Sequence, residues 1–233
     1  MSSVVWHDLE CGSYTADLPV WLELAAPCSG PILDVGAGTG RVALPLARAG
    51  HRVIALERER ELVEELRHRA AGLAVEVLCA DACDFALDEP VGLAIVPMQT
   101  IHLLADLGGF LRCARAALEG GGVLAVALLG DGVEPFELEL EPDTAEIDGV
   151  RYASAPTALR VEHGAVVLER RRTRSPAGGR ESSNIDTIRL SELDADALAA
   201  AARSRGLHVL ESRSVAPTRE HAGSQIVLLE ARP

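Results

Sequence analysis

The sequence predicts an α/β protein, a largely parallel sheet wound with helices on both faces, and three observations carry that reading. The apolar runs at 32–35, 53–56, 75–79, 93–97 and 123–129 are nearly continuous rather than alternating, as strands buried on both faces require. The segments between them place apolar residues at helical spacing, so strand and helix alternate along the chain. The first run also passes directly into a turn with glycine at 36, 38 and 40 and then into a helix. Such a strand–turn–helix junction is where open α/β sheets hold ligands.

Each element follows from local chemistry. Residues 1–30 place Leu9, Tyr14, Leu18, Trp21, Leu22 and Leu24 among acids, with a break at Pro19, and predict an N-terminal helical lid. Ile32–Val35 is the first strand, and the helix after it, 43–49, ends at Gly50. The helix predicted at 59–71 turns Leu62, Leu66 and Ala70 inward and pairs Glu65 with Arg69 outside. A helix over 107–118 is expected to stop at Gly120-Gly121-Gly122, and Val123–Leu129 follows as a strand. Residues 31–130 thus form the core. Over 131–190 the texture changes to short alternating runs at 136–140, 158–162, 165–170 and 185–190, broken by Gly, Pro and Ser, which predicts an antiparallel insert. Asp194 caps a helix over 195–205 that Gly206 closes, and strands at 207–215 and 225–229 complete the sheet within 191–233.

Composition narrows the function. A chain of 233 residues suits a single domain, 1–233. No apolar run approaches the roughly 18 residues of a membrane span, and the N-terminus lacks the basic and apolar regions of a signal peptide, so the expected location is cytoplasmic. The five cysteines, 11, 28, 79, 83 and 113, are odd in number and scattered, as reduced thiols are. Cys79 and Cys83 have no second Cys/His pair at zinc spacing, so no metal is expected. All 22 basic residues are arginine, which removes lysine Schiff-base chemistry. A net charge of −13 disfavours nucleic acid. The one basic run, Glu169 to Arg174, reads as a solvated strand and turn.

The glycine register decides among nucleotides. A dinucleotide fingerprint would place its third glycine at 41, where the chain has Arg41, and no Gly-Lys-Ser/Thr phosphate loop follows. Asp34-Val35-Gly36-Ala37-Gly38-Thr39-Gly40 instead resembles motif I of the class I S-adenosylmethionine-dependent methyltransferases. The next strand ends in Glu57, seventeen residues past Gly40, where an acid can accept both ribose hydroxyls. Val75 to Ala82 is similar to the family's third strand and adenine-binding end. The resemblance covers roughly 30–130 and implies a Rossmann-like seven-stranded sheet with its last strand antiparallel, the insert serving as a substrate cap. It implies S-adenosyl-L-methionine as cofactor, held by Tyr14, Asp34, Gly36, Ala37, Gly38 and Gly40 at its methionine half. Glu57 and Arg58 would lie at the ribose, Asp81 and Ala82 at the adenine, and Pro97 and Met98 along the wall.

Methyl transfer is an in-line displacement on an already activated group, so alignment and exclusion of water are the main demands on the protein. His102 is the candidate base by position and type, and Gln99 a candidate for orienting substrate or cofactor. The Asn/Asp-Pro-Pro-aromatic signature of enzymes acting on nitrogens of nucleic acid and protein is missing after the fourth strand. The expected activity is therefore methylation of O, N or C of a small metabolite in specialised metabolism, with no nucleic-acid or membrane partner and with a homodimer as the expected assembly. A second reading keeps the pocket without methylation, as a structural cofactor site or for cyclisation or rearrangement, because no decisive base is visible. A third, nicotinamide-dependent oxidoreduction, fits the glycine register poorly. His221, in the loop 217–223, is a further candidate to reach the pocket.

Overall fold

The computed structural model describes residues 2–130, 133–218 and 221–232. The expected start of the insert at 131–132 and Arg219-Glu220 of the 217–223 loop lie outside the described residues. The elements are α1 (Ser2–His7), a π-helical turn (Asp8–Gly12), α2 (Leu18–Ala25), β1 (Ile32–Val35), α3 (Ala43–Arg48), β2 (Val53–Glu57), α4 (Arg60–Arg69), β3 (Val75–Cys79), β4 (Val91–Val96), a 3-10 turn (Thr100–Leu103), α5 (Leu107–Ala117), β5 (Leu118–Leu129), β6 (Asp143–Ile147), β7 (Val150–Glu162), β8 (Ala165–Pro176), β9 (Ser182–Ser191), α6 (Ala195–Arg203), β10 (Leu207–Val215) and β11 (Ser224–Ala231). They divide into two compact units, one of Tyr14–Gly132 with Leu193–Pro233, the other of Met1–Ser13 with Val133–Glu192.

The larger unit is a seven-stranded sheet in the order β10-β11-β5-β4-β1-β2-β3. β1, β2, β3, β4 and β5 run parallel, and β11 runs antiparallel to both β5 and β10. Strand order reverses at β1, whose neighbours are β2 on one side and β4 on the other. The crevice beyond the C-terminal ends of β1 and β4 is thus the switch point of the sheet. Alternate residues of each strand feed two apolar layers: Leu33, Leu56, Val96 and Val126 pack with Phe110 and Leu198 on one face, and Ile32, Val53 and Ile95 with Trp21, Leu46 and Leu66 on the other. Burial on both faces explains the unbroken apolar runs.

Two helices begin at aspartate caps, of which Asp194 is the expected one. The Asp106 carboxylate accepts from Gly109 N–H at 2.9 Å to start α5, and Asp194 accepts from Ala197 N–H at 2.7 Å to start α6. The three glycines at 120–122 do not stop α5, contrary to expectation. α5 ends at Ala117, Leu118 is already extended and paired with Val91, and the next pair is Leu93 with Val123. The glycines form a bulge inside β5, with Gly121 at φ +84°.

The smaller unit is the antiparallel sheet β6-β7-β8-β9. Its strands are longer than the short runs suggested, except at 136–140, which forms no strand and joins β7 through mutual Phe136–Leu159 backbone bonds of 3.0 and 2.8 Å and a Leu140 N–H to Pro156 C=O bond of 2.9 Å. Prolines 135 and 142 bracket that segment and Glu137, Glu139 and Glu141 lie between them, which removes an N–H donor at each flank and the neutral strand face. Within this unit Trp6 of α1 meets Tyr152 edge-on with ring centroids 5.3 Å apart. The expected lid 1–30 therefore parts at Ser13, its first segment grouping with the insert and its second with the parallel sheet.

Candidate cofactor and active site

The glycine loop is anchored by backbone. Gly36 and Ala37 N–H groups both donate to Leu56 C=O, at 2.8 and 3.0 Å. Gly36 is exposed at φ +71°, a conformation and openness that bring main chain to the surface at the switch point. Gly38, at φ +56°, donates its N–H to Glu57 Oε2 at 3.0 Å. Gly40 behaves differently, and its expected role as an opening for the ligand is corrected. It is buried at φ +100°, and a Cβ there would meet Leu66 Cδ1 at 2.6 Å and Leu44 Cγ at 2.7 Å. Helix packing, not ligand approach, requires that glycine.

Glu57 closes β2 and is 9% exposed. Its Oε1 accepts from Arg58 and Glu59 N–H at 2.8 and 2.9 Å, so the carboxylate joins the glycine loop to the start of α4. Each carboxylate oxygen carries two acceptor sites, so Oε2, which among the described residues takes only the Gly38 N–H, can still accept from a ribose hydroxyl. Arg58 is exposed and contributes its backbone. Ala80 N–H donates to Glu57 C=O at 3.1 Å, which brings the chain beyond β3 to the same strand tip. There exposed Asp81 accepts Cys83 N–H at 2.8 Å, while the Ala82 side chain enters the core. Ala37 is likewise buried. Both alanines can offer a ligand their backbone only.

Beyond β4, Pro97 is buried and Met98 takes φ +52°, a left-handed conformation unusual for a non-glycine side chain and concentrated at functional turns. That turn carries half-buried Gln99 into the 3-10 turn and lays Thr100 over the glycine loop. A Cβ at Gly36 would lie 2.5 Å from Thr100 Cγ2. His102 is corrected as the candidate base. It is 3% exposed and its Nε2 accepts the Leu129 N–H at 2.9 Å, so the lone pair expected to take a substrate proton holds the end of β5.

A second cluster surrounds Tyr14. Its ring is 4% exposed, stacks on His221 with centroids 4.1 Å apart, and lies 5.2 Å below the Arg41 guanidinium. Burial, helped by the Asp17 charge, pushes its phenol pKa up, with Arg41 and Ser224 opposing. Arg41 bonds Asp17 at 2.6 and 2.8 Å and donates to Tyr14 C=O at 2.9 Å. Asp17 also accepts Trp21 Nε1–H at 2.8 Å. Asp34 is 1% exposed, and among the described residues neither carboxylate oxygen completes a well-formed hydrogen bond, the Ala43 N–H acting on it only through its partial charge. Burial pushes its pKa up to about 7, against the pull of Arg41 and the Ala43 N–H. An orphaned buried acceptor at the tip of β1 is the group that an ammonium would satisfy, and with the exposed Gly36 backbone it fits S-adenosylmethionine.

Arg41, Asp17 and Thr100 are site residues the motif reading passed over. Arg41 had a signal: an arginine directly after a glycine loop in a buried strand–helix unit needs a carboxylate.

Comparison with known proteins agrees. Residues 32–122 match the family model described as a methyltransferase domain. Over 114 residues the chain is 32% identical to a ubiquinone biosynthesis O-methyltransferase of Methylocella silvestris, a match covering 45% of this chain and 42% of that protein. The chain thus spans less than half the length of that curated relative. Among solved structures, the sugar N-methyltransferase KedS8 of Streptoalloteichus sp. superposes with a TM-score of 0.82 at 18% identity, covering 100% of this chain and 93% of that one. The S-adenosylmethionine-bound amino pentose methyltransferase CalS10 of Micromonospora echinaspora gives 0.70 at 20% identity, covering 97% and 91%. These two likenesses establish the fold. The glycine register and strand order agree with the methyltransferase domain whose family model residues 32–122 match.

Proposed function

We propose that this protein methylates O, N or C of a small metabolite with S-adenosylmethionine as donor. The observation that carries the reading is the exposed Gly36 backbone at the β1/β4 switch point, with the Glu57 carboxylate held beside it by the Gly38 N–H at 3.0 Å. When bound, the cofactor supplies a methyl group already activated on a sulfonium. The residues of the chain bind and align. Gly36 and Gly38 offer main chain, Glu57 accepts from ribose hydroxyls, Asp81 from the adenine amino group, and Asp34 faces the ammonium. Tyr14, clamped by Arg41 and His221, walls the methionine half, with Pro97 and Met98 along the other side.

With the His102 lone pair given to Leu129, proximity is the main catalytic device, and a neutral amine, which needs no base, is the acceptor best suited to the site. Gln99 and Thr100 at the mouth of the loop orient it. Sugar amines are the acceptor class to test first, because KedS8 is a sugar N-methyltransferase and CalS10 an amino pentose methyltransferase. No described helix is long and apolar enough to cross a membrane, and the reaction proposed is one on a small molecule met in the cytoplasm.

The test is S-adenosylhomocysteine release, with mass detection of the methylated product, across amino sugars, phenols and acids. Glu57→Ala should weaken S-adenosylhomocysteine binding about 10- to 150-fold, the effect of losing a hydrogen bond to a charged acceptor. Tight nicotinamide binding with no response to S-adenosylhomocysteine refutes the proposal.

A further inference from the structure

The glycine loop is held at its start by β2, through the Gly36 and Ala37 N–H bonds to Leu56 C=O at 2.8 and 3.0 Å. At its end, Arg41 follows Gly40 directly and ties the loop to the segment that precedes β1. The Arg41 Nη1 and Nη2 donate to the two carboxylate oxygens of Asp17 at 2.6 and 2.8 Å, and Nη1 also donates to Tyr14 C=O at 2.9 Å. The pair is closed off from water, with the Arg41 side chain 8% and the Asp17 side chain 2% exposed. Asp17 Oδ2 also accepts Trp21 Nε1–H at 2.8 Å, and Trp21 is fully buried in the apolar layer with Ile32 and Leu46. The far end of the clamp is therefore rooted in the core through α2.

Moving both charges out of water offsets most of their attraction, so a buried ion pair adds little net stability over an apolar pair of the same size. A bidentate fork does fix distance and angle together. Here it fixes the residue that ends a loop whose Gly36 and Gly38 stand at φ +71° and +56°. Glycine leaves such a loop free to wander, and a ligand must remove that freedom when it binds. Anchors at both ends remove it in advance. Arg41 itself is too enclosed to meet a ligand. The exposed main chain of Gly36 does that, and Arg41 governs only the shape in which it is presented.

We propose that Arg41 is a positioning residue for the cofactor: its grip on Asp17 and Tyr14 C=O holds the glycine loop in the shape that receives the methionine half, and loss of that grip speeds cofactor release. The inference rests on the reading of this loop as the S-adenosylmethionine site. Because Arg41 acts through the loop, the adenine end at Asp81 and Ala82, which follows β3, lies outside its influence.

The experiment compares the full chain with Arg41→Gln, Arg41→Lys and Asp17→Asn, each shown to be folded by cooperative urea unfolding. Release of tritiated S-adenosylhomocysteine after dilution gives the dissociation rate, and ligand-detected NMR gives the affinity for methylthioadenosine, which lacks the amino-acid half. Both Arg41 variants should release S-adenosylhomocysteine about tenfold faster or more, with Asp17→Asn changed in the same direction. Methylthioadenosine should bind all of them within about threefold of the parent. Arg41→Lys keeps the charge and loses the fork, so its agreement with Arg41→Gln assigns the effect to geometry. If Arg41→Gln does not fold, Asp17→Asn, which keeps the size of the side chain, carries the test. The inference is overturned if the folded variants release S-adenosylhomocysteine at the parental rate, if Arg41→Lys restores that rate, or if both ligands weaken equally, as general loosening of the fold would make them. A parent that binds no S-adenosylhomocysteine removes the reading of the loop itself, and this inference with it.

Discussion

Gly40→Ala separates helix packing from ligand contact within one loop. The new Cβ would stand 2.6 Å from Leu66 Cδ1 and 2.7 and 2.9 Å from Leu44 Cγ and Cδ1. Leu66 and Leu44 are 0% and 7% exposed, so neither side chain can swing into water to make room. At φ +100° an L side chain also costs about 1–2 kcal/mol, and overpacking a closed core adds about 1–3 kcal/mol. The expected loss is about 2–5 kcal/mol, read in urea unfolding as a lower midpoint with an unchanged slope. The affinity of the folded fraction for S-adenosylhomocysteine should stay within about threefold, because the added methyl points into α3 and α4. Gly36→Ala gives the opposite pattern. Its Cβ meets only half-buried Thr100, which can turn aside, so stability should fall by about 1–2 kcal/mol while affinity falls about tenfold or more. An unchanged unfolding midpoint for Gly40→Ala, or an affinity loss equal to that of Gly36→Ala, would refute the division of roles.

His102→Ala strands the Leu129 N–H and should cost about 1–3 kcal/mol in urea unfolding, with no imidazole step in the pH–rate profile of the parent. A loss of turnover near 10² with stability unchanged would restore it as the base. Asp34 keeps its proton in the folded state up to about pH 7 but loses it near its ordinary 3.8 when unfolded. Stability of the parent should therefore fall as pH rises from about 4 through about 7 and level off above, by about 4 kcal/mol at most. Urea unfolding across that range should show the slope vanish in Asp34→Asn, and an equal slope in both would reject the buried acid as its source. Arg41→Met leaves Asp17, 2% exposed, without its ion partner and should cost about 3–5 kcal/mol in the same assay. Adding Asp17→Asn should recover part of that loss, and full additivity of the two changes would show that they do not interact.

The sequence by itself determined the parallel core, the strand–turn–helix glycine loop and the antiparallel character of the insert. These are short-range properties. An apolar run of four to six residues, a capping Asp three residues before its N–H, or glycines at alternate positions carry their conformations within one turn or one strand. Even there the reading failed where a local signal had two meanings: Gly120–Gly122 read as a helix stop and form a bulge in β5, because pairing of Leu118 with Val91 had already begun the strand.

Only the tertiary structure decided what each polar side chain does. The base role of His102 rested on its position after β4, and its Nε2 is bound by Leu129, 27 residues away. Arg41 finds Asp17 across 24 residues, and Arg172 finds Glu10 across 162. The same register makes Gly36 an open surface and Gly40 a packing contact, since the first faces the switch point and the second faces α3 and α4. Periodicity records which face of an element is apolar, but a hydrogen-bond partner is chosen by whichever donor or acceptor the folded chain carries within about 3 Å, and that distance exists only once the sheet and helices are packed.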